Sequence, residues 1–217
     1  MDVLEAMATM NSCRHYKTDG VEPALVAKIL NSARWAATGS NNQPVTYVVV
    51  RDAAKRRAIH DLYQPIWDMV IKKYSSGEIK SGFSSKFLEN VDHFARHLCE
   101  VPVMIVVCAR WKDLTALDAS LERTVLTPGS SIYPAVQNLM LAARNEGLGT
   151  VLTTLLVLAE AEIKKLLNIP DELATAAVLT LGWPAKPFPK KLKRKPLADI
   201  AFQDTYGAAL PGAAEFV

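Results

Sequence analysis

The chain has 217 residues, of which half are hydrophobic and 22% charged, enough apolar material to bury a substantial core and to exclude an intrinsically disordered protein. Its 25 basic and 22 acidic side chains are mixed along most of the sequence. The formal charge of +3 therefore comes without the long cationic run that nucleic-acid binding requires, and we expect no nucleic-acid partner.

The apolar segments favour a protein without membrane spans. The longest strongly apolar run, Val101 to Ala109, is far shorter than the roughly 20 residues that cross a bilayer, and it predicts a buried strand. The first ten residues carry Asp2 and Glu5 and lack the pattern of a secretory signal, so we expect a cytoplasmic protein.

In chain order, helical spacing of apolar residues predicts a short helix over residues 3–10 and a second helix from Pro23 toward Ala37. A loop over residues 38–44 leads into a strand over residues 45–50. The later predicted elements are helical segments between 52 and 100, a strand over 101–109, a helix from 132, a strand over 151–157, a helix over 160–167 and a strand over 174–182.

One domain over residues 1–183 is predicted, followed by a tail over residues 184–217, because the chain has no internal repeat or low-complexity linker. The tail contains five prolines, and its apolar residues need a surface to cover. Docking on a second subunit and packing on its own subunit both remain open. The Ser-, Gly- and Lys-rich stretch over residues 75–85 predicts a mobile segment that could act as a lid.

Several residues with reactive or charged side chains have a simpler structural interpretation. The three cysteines are odd in number and widely spaced, which is typical of buried thiols; for Cys13 a reactive thiol beside a site is the alternative. His93 and His97 share a helix face, but no further ligand accompanies them, so no metal site is predicted. The charged residues Asp118, Glu122 and Arg123 are interpreted as a solvent-facing helical patch. Tyr63, Trp67 and Tyr74 either line a substrate opening or pack in the core.

Three polar clusters are the candidate functional residues. The first, Asn11, Ser12 and Arg14, combines a hydroxyl with a guanidinium that suits an anion or the polar edge of a ring system. The second is the loop from Thr38 to Pro44, whose small and amide residues allow close approach to a planar ligand. The third is the pair Thr153 and Thr154 on or just after a strand.

Together, these clusters resemble the nitroreductase family. The run from Ser12 to Arg14, followed by the loop from Thr38 to Pro44 and a strand, is similar to the opening of that family. The run from Ser130 to Gly149 is similar to its long central helix, and residues 192–197 resemble the basic stretch that closes its flavin site.

The resemblance implies an α+β fold, with a mainly antiparallel central sheet flanked by helices, in an intertwined homodimer with both flavin sites at the subunit interface and the tail docked on the partner. It implies an FMN-dependent oxidoreductase that takes electrons from NAD(P)H and reduces electron-poor aromatics such as nitroaromatics by ping-pong hydride transfer through flavin N5. The residues that it assigns to FMN are Asn11, Ser12, Arg14, Thr38, Gly39, Asn41, Gln43, Thr153, Thr154, Lys193 and Arg194, with the two threonines beside N5.

Some positions depart from the family pattern. Met10 stands where the family usually has an arginine that binds phosphate, so the phosphate is expected to depend more on Lys193, Arg194 and Lys195. Two other functions stay open: reductive dehalogenation of aromatics, because the threonine pair also resembles the iodotyrosine deiodinase branch, and flavin binding without turnover.

Overall fold

The computed structural model describes residues 1–78 and 83–216. The α-helices are, in chain order, α1 (Val3–Thr9), α2 (Pro23–Ala33), α3 (Ala53–Ser75), α4 (Ser85–Arg96), α5 (Tyr133–Asn145) and α6 (Glu160–Leu167). The strands are β1 (Val45–Val50), β2 (Val103–Arg110), β3 (Gly149–Thr153) and β4 (Leu173–Gly182). Within the described ranges, no helix has both the length and the apolar character needed to span a bilayer.

The four strands form one antiparallel sheet in the order β1-β2-β4-β3, so that β1 and β3 are its two edges. The segment after α1 adds to the β3 edge: Ser12 bridges Thr150 in parallel, and the amide of Cys13 donates to the Thr150 carbonyl at 2.9 Å. Gly149 permits this approach, because a Cβ there would lie 2.5 Å from the sulfur of Cys13. The N-terminal segment is therefore held against the sheet.

Helices cover both faces of the sheet, and β2 shows why its sequence is apolar throughout. Val103, Ile105 and Val107 point into a core formed with α2 and α5. Met104, Val106 and Cys108 point into a second core formed with α3, α4 and α6. Successive side chains of a strand face opposite sides, so a strand covered on both sides needs an apolar residue at every position. The expected α+β architecture, a central antiparallel sheet flanked by helices, is confirmed.

Two predicted boundaries are wrong. Helix α2 ends at Ala33 instead of continuing toward Ala37, because the next amides bond three residues back in a tighter turn. The strand predicted over residues 151–157 begins at Gly149 and ends at Thr153. Its apolar continuation forms a 3-10 turn at Leu155–Ala159, which buries Leu156 in the same core as α3 and α6.

The interpretation of Asp118, Glu122 and Arg123 as a solvent-facing helical patch is wrong for Asp118 and for the helix, although Glu122 and Arg123 are exposed. Asp118 is only 4% exposed and lies among turns. Its carboxylate accepts hydrogen bonds from the Thr127 hydroxyl at 2.6 Å, from the Leu126 amide at 2.7 Å and from Arg123 at 2.8 Å. The buried carboxylate therefore organises the loop that precedes α5.

The aromatic residues of α3 divide between core and surface. Tyr63 and Trp67 are buried, and the indole of Trp67 donates to the carboxylate of Asp92 at 2.9 Å. Tyr74 is half-buried, with its ring edge toward Phe83. The core alternative therefore holds for Tyr63 and Trp67. Residues 79–82 lie outside the described part of the chain, so the mobile segment predicted over residues 75–85 stays a prediction.

The first part of the tail packs on its own subunit. Its backbone bonds to the N-terminal segment: Lys17 donates to Trp183 at 2.8 Å, Ala185 to His15 at 2.9 Å and Leu192 to Ala8 at 2.8 Å. The remainder closes on itself through a bond from Leu197 to Phe216. It leaves Ile200, Tyr206 and Phe216 exposed. Docking of this later part on a partner, and the division at residue 184, stay predictions.

Candidate functional site

A cavity of about 320 Å³ lies where the N-terminal segment crosses the β3 edge. Residues 11–15 line one side, Phe87 and Asn90 of α4 line another, and Pro184 with residues 186–189 of the tail close it. The cavity combines a guanidinium, an ammonium and amides with an imidazole and two phenyl rings. Such a set can hold a planar ring while binding its polar edge.

Arg14 is the main charge of this cavity. Its guanidinium carbon lies 5.1 Å from the ring centre of Phe87, and no carboxylate pairs with it in residues 1–78 or 83–216. Burial lowers the pKa of Arg14, although the neighbouring Tyr16, Tyr63 and Cys13 oppose that shift. An arginine remains protonated at neutral pH, so the cavity offers a fixed positive charge to an anionic or electron-rich group.

Tyr63 connects Arg14 to the end of β3. Burial raises the pKa of its hydroxyl, while a hydrogen bond with the Thr153 side chain and the charge of Arg14 lower it. The Thr153 hydroxyl also lies 3.4 Å from the Leu155 amide, as an acceptor. Thr153 is buried and Thr154 is exposed, so of the two only Thr154 presents its side chain to solvent.

A column of three histidines stands beside the cavity. The His15 and His93 rings stack at 4.2 Å, and the His93 and His97 rings stack at 4.2 Å. His15 is fixed by a 3.0 Å hydrogen bond to Asn90. Burial lowers the pKa of His93, and the charges of His15, His97 and Lys186 lower it further. In the described ranges no three His, Cys, Asp or Glu side chains form a group that could hold a metal ion.

The loop that precedes β1 is held in an uncommon backbone conformation. Ser40, Asn41 and Gln43 have φ angles of 51°, 55° and 49°, in the left-handed region that non-glycine residues rarely adopt. Hydrogen bonds hold it there: the Gln43 amide donates to the Thr38 hydroxyl at 3.1 Å, and the Gly39 amide donates to Ser131 at 3.0 Å. Because β1 and β3 are opposite edges of the sheet, the loop is distant from Arg14 within one chain.

Arg194 lines a second cavity of about 450 Å³ between α1 and the tail. The cavity adjoins the N-terminal segment, since the neighbouring Leu192 bonds to Ala8. The guanidinium of Arg194 donates to the carbonyl of Lys193 at 2.9 Å, and both side chains are exposed.

The structure thus brings some predicted residues together and separates others. Asn11, Ser12 and Arg14 line the first cavity. Thr153 does not line it but lies near Tyr63, which in turn is close to Arg14. Arg194 lines the adjoining cavity, while the loop over residues 38–43 lies at the other sheet edge. Sequence reasoning missed several lining residues, because neither a motif nor spacing distinguishes them from ordinary helix and tail positions. They are Phe87, Asn90, Lys186 and Phe188.

Comparisons with known proteins agree on one family. The family model described as Nitroreductase family matches residues 8–183. A provisionally named NADH dehydrogenase/NAD(P)H nitroreductase from Methanothermobacter thermautotrophicus is 28% identical over 191 residues, covering 86% of this chain and 79% of that protein. An iodotyrosine dehalogenase 1 homolog from Caenorhabditis elegans is 25% identical, covering 90% of this chain and 59% of that protein.

Solved structures show the same fold. The crystal structure of a nitroreductase with bound FMN from Desulfitobacterium hafniense superposes with a TM-score of 0.66 at 19% identity. The match covers 89% of this chain and 95% of that one.

Proposed function

Because the chain belongs to the nitroreductase family, we propose that it is an FMN-dependent oxidoreductase that uses NAD(P)H to reduce electron-poor aromatic compounds such as nitroaromatics. The nitroreductase of similar structure contains FMN, and the archaeal relative is named for NAD(P)H. The observation that carries the proposal is the cavity beside β3, where Arg14 stands without a carboxylate partner within the described residues, next to an aromatic ring.

The residues of the cavity fit this cofactor. The pyrimidine edge of a flavin accepts and donates hydrogen bonds, which suits Arg14, Asn90 and the polar segment from Asn11. Phe87 and Phe188 supply apolar faces for the ring. Lys186 and the tail cations Lys193 and Arg194 supply positive charge for a phosphate.

The chemistry that FMN would supply when bound is two-electron transfer at N5 between NAD(P)H and the aromatic substrate in a ping-pong cycle. Arg14 would stabilise the negative charge that develops at the pyrimidine edge on reduction. Thr154, whose side chain is exposed, is the better placed of the two threonines to meet N5, while Thr153 is buried beside Tyr63. A nitro group that receives a hydride takes up one further proton and releases water to become a nitroso group, and solvent can exchange both through the open cavity.

We further propose that the site is completed in a homodimer. The resemblance assigns Thr38, Gly39, Asn41 and Gln43 to the same cofactor as Arg14, yet the two groups lie on opposite edges of the sheet of one chain. A partner subunit would bring the loop of one chain to the cavity of the other. The segment bonded to this loop is rich in exposed apolar side chains, which is typical of an interface. They are Leu117, Leu121, Val125 and Leu126.

Anaerobic spectroscopy tests the proposed activity. Protein loaded with FMN is mixed with NADH or NADPH, and the absorbance near the oxidised flavin maximum is followed. We expect it to fall with at least one nucleotide and to recover when a nitroaromatic is added, but not when the corresponding amine is added. A flavin that stays oxidised with both nucleotides would contradict the proposal.

The second candidate is reductive dehalogenation, favoured by the similarity to the iodotyrosine dehalogenase homolog. The same reduced protein is mixed with an iodophenol instead of a nitroaromatic. Release of iodide with recovery of the flavin absorbance, and little recovery with the nitroaromatic, would favour this candidate over the first.

A further inference from the structure

Arg144 is a buried cation that has no counter-ion among the described residues. It lies next to the last residue of α5 and is only 9% exposed. Its Nε donates to the Thr9 hydroxyl at 3.0 Å, and its guanidinium carbon lies 3.9 Å from the ring centre of Phe188. Within residues 1–78 and 83–216, no carboxylate forms an ion pair with it.

Such a charge is costly in a folded protein. A guanidinium loses hydration on burial, and a helix C-terminus, a hydroxyl and an aromatic ring recover only part of that loss. Arginine offers five N–H donors in a planar fork, and only Nε has a hydrogen-bond partner among the described residues. The remaining fork matches the geometry of a phosphate.

Arg144 reaches the proposed cofactor cavity through Phe188, and basic side chains lie on that side, whereas the nearby Glu146 is paired with Lys28. Phe188, which packs on the guanidinium, lines that cavity together with Lys186. Thr9, the hydrogen-bond partner, is two residues before Asn11 at the cavity rim. The tail between residues 186 and 195 contains lysines and an arginine but no acidic residue. An anion is the ligand that this charge distribution favours.

We propose that Arg144 binds the phosphate of the cofactor. The inference rests on the proposed function, because it assumes a flavin in the adjoining cavity. It also accounts for the methionine at position 10, where the family pattern has a phosphate-binding arginine, because Arg144 is bonded to Thr9, the residue before Met10.

Riboflavin and FMN differ only in the phosphate, and their dissociation constants in the same variants test the inference. For Arg144→Met we expect the dissociation constant of FMN to rise about 10- to 100-fold, as for loss of a charge-assisted phosphate contact. The dissociation constant of riboflavin should stay within about twofold. Adding Met10→Arg to this variant should recover most of the FMN affinity. Arg57→Met, at an exposed position of α3, is the control and should change neither constant.

The possible outcomes separate this inference from the proposed function. A wild-type protein that binds neither flavin contradicts both. A wild type that binds riboflavin as tightly as FMN, or an Arg144→Met variant that loses both flavins equally, overturns the phosphate site and leaves flavin binding intact. If Arg144→Met does not fold, Arg144→Lys decides, since it keeps the charge and loses the fork. An unchanged ratio of the two dissociation constants in that variant would overturn the inference.

Discussion

At the scale of single residues, the two adjacent threonines have different environments although the sequence gives them the same role. Thr153 is buried next to Tyr63, whereas Thr154 is exposed at the start of a 3-10 turn. Side-chain alternation along a strand predicts that neighbours face opposite sides. The alternation alone could not predict which of the two threonines faces the core, because the answer depends on the residue at which β3 ends.

The roles of Thr153 and Thr154 can be distinguished by substitution with valine, which removes the hydroxyl and keeps the shape of the side chain. Thr153→Val removes a buried hydroxyl that lies beside Tyr63 and accepts from the Leu155 amide, so we expect a loss of about 1–3 kcal/mol in the free energy of unfolding. Thr154→Val should leave stability within about 0.5 kcal/mol but slow the reduction of bound flavin. Denaturant titration and anaerobic stopped-flow absorbance measure the two effects. The reverse assignment of effects would contradict the proposed orientation.

A second prediction for a single residue concerns the pH dependence of the stability that Asp118 contributes. Hydrogen bonds from the Thr127 hydroxyl and the Leu126 amide hold the pKa of Asp118 far below its usual range. Its contribution to stability is therefore present above about pH 4, its ordinary value, and is lost as the pH falls below that. We expect Asp118→Asn to lower the melting temperature at pH 7, with the difference from wild type shrinking toward pH 2. A difference independent of pH would contradict this.

At the scale of elements, apolar periodicity predicted α1, α5, α6, β1 and β4 to within a few residues. It failed after Thr153, where an apolar run turns into a 3-10 segment to bury Leu156 beneath α3. Strands and buried turns have the same apolar content, so only the tertiary contact decides between them. The Asp118 loop was misinterpreted for a related reason, since a charged residue does not reveal that backbone amides will bury it.

Mild acid should destabilise helix α4, because His93 of this helix stacks between His15 and His97. Burial and the charges of His15, His97 and Lys186 lower the pKa of His93, while Glu100 raises it. The unfolded chain therefore takes up a proton more readily, and the stabilising neutral form is lost as the pH falls below about 6.5. We expect amide exchange in α4, corrected for intrinsic rates, to accelerate several-fold between pH 7.5 and pH 5.5. In His93→Gln that acceleration should largely disappear. If it persists, protonation of His93 is not its cause.

At the scale of the whole molecule, the fold could be predicted from the resemblance to the family. The expected cofactor residues, however, do not all come together within a single chain. Arg14 and the loop carrying Asn41 lie on opposite edges of the sheet. No sequence pattern gives the distance between two edges in an assembly. The later part of the tail, with Tyr206 exposed, is a further surface that the proposed partner would cover.

The apolar segment beside the loop gives a test of the proposed interface. Leu117 is 80% exposed, and Leu121 is also exposed. We expect the double variant Leu117→Glu with Leu121→Glu to shift the protein from dimer to monomer in sedimentation or mass photometry, because charges are costly in an apolar interface. Lys55→Glu, which alters an exposed charge without removing apolar surface, should remain dimeric. If both the double leucine variant and Lys55→Glu remain dimeric, the interface lies on another surface.

Mixed dimers decide whether one flavin is held by Arg14 of one chain and by the loop of another. Arg14→Met and Asn41→Ala chains, carrying different tags, are co-expressed, and FMN binding to the purified mixed dimer is measured by fluorescence quenching. Each variant alone should bind FMN weakly. We expect the mixed dimer to regain one tight site, in which an intact Arg14 meets an intact Asn41 across the interface. Mixed dimers that bind FMN no better than either parent would contradict it.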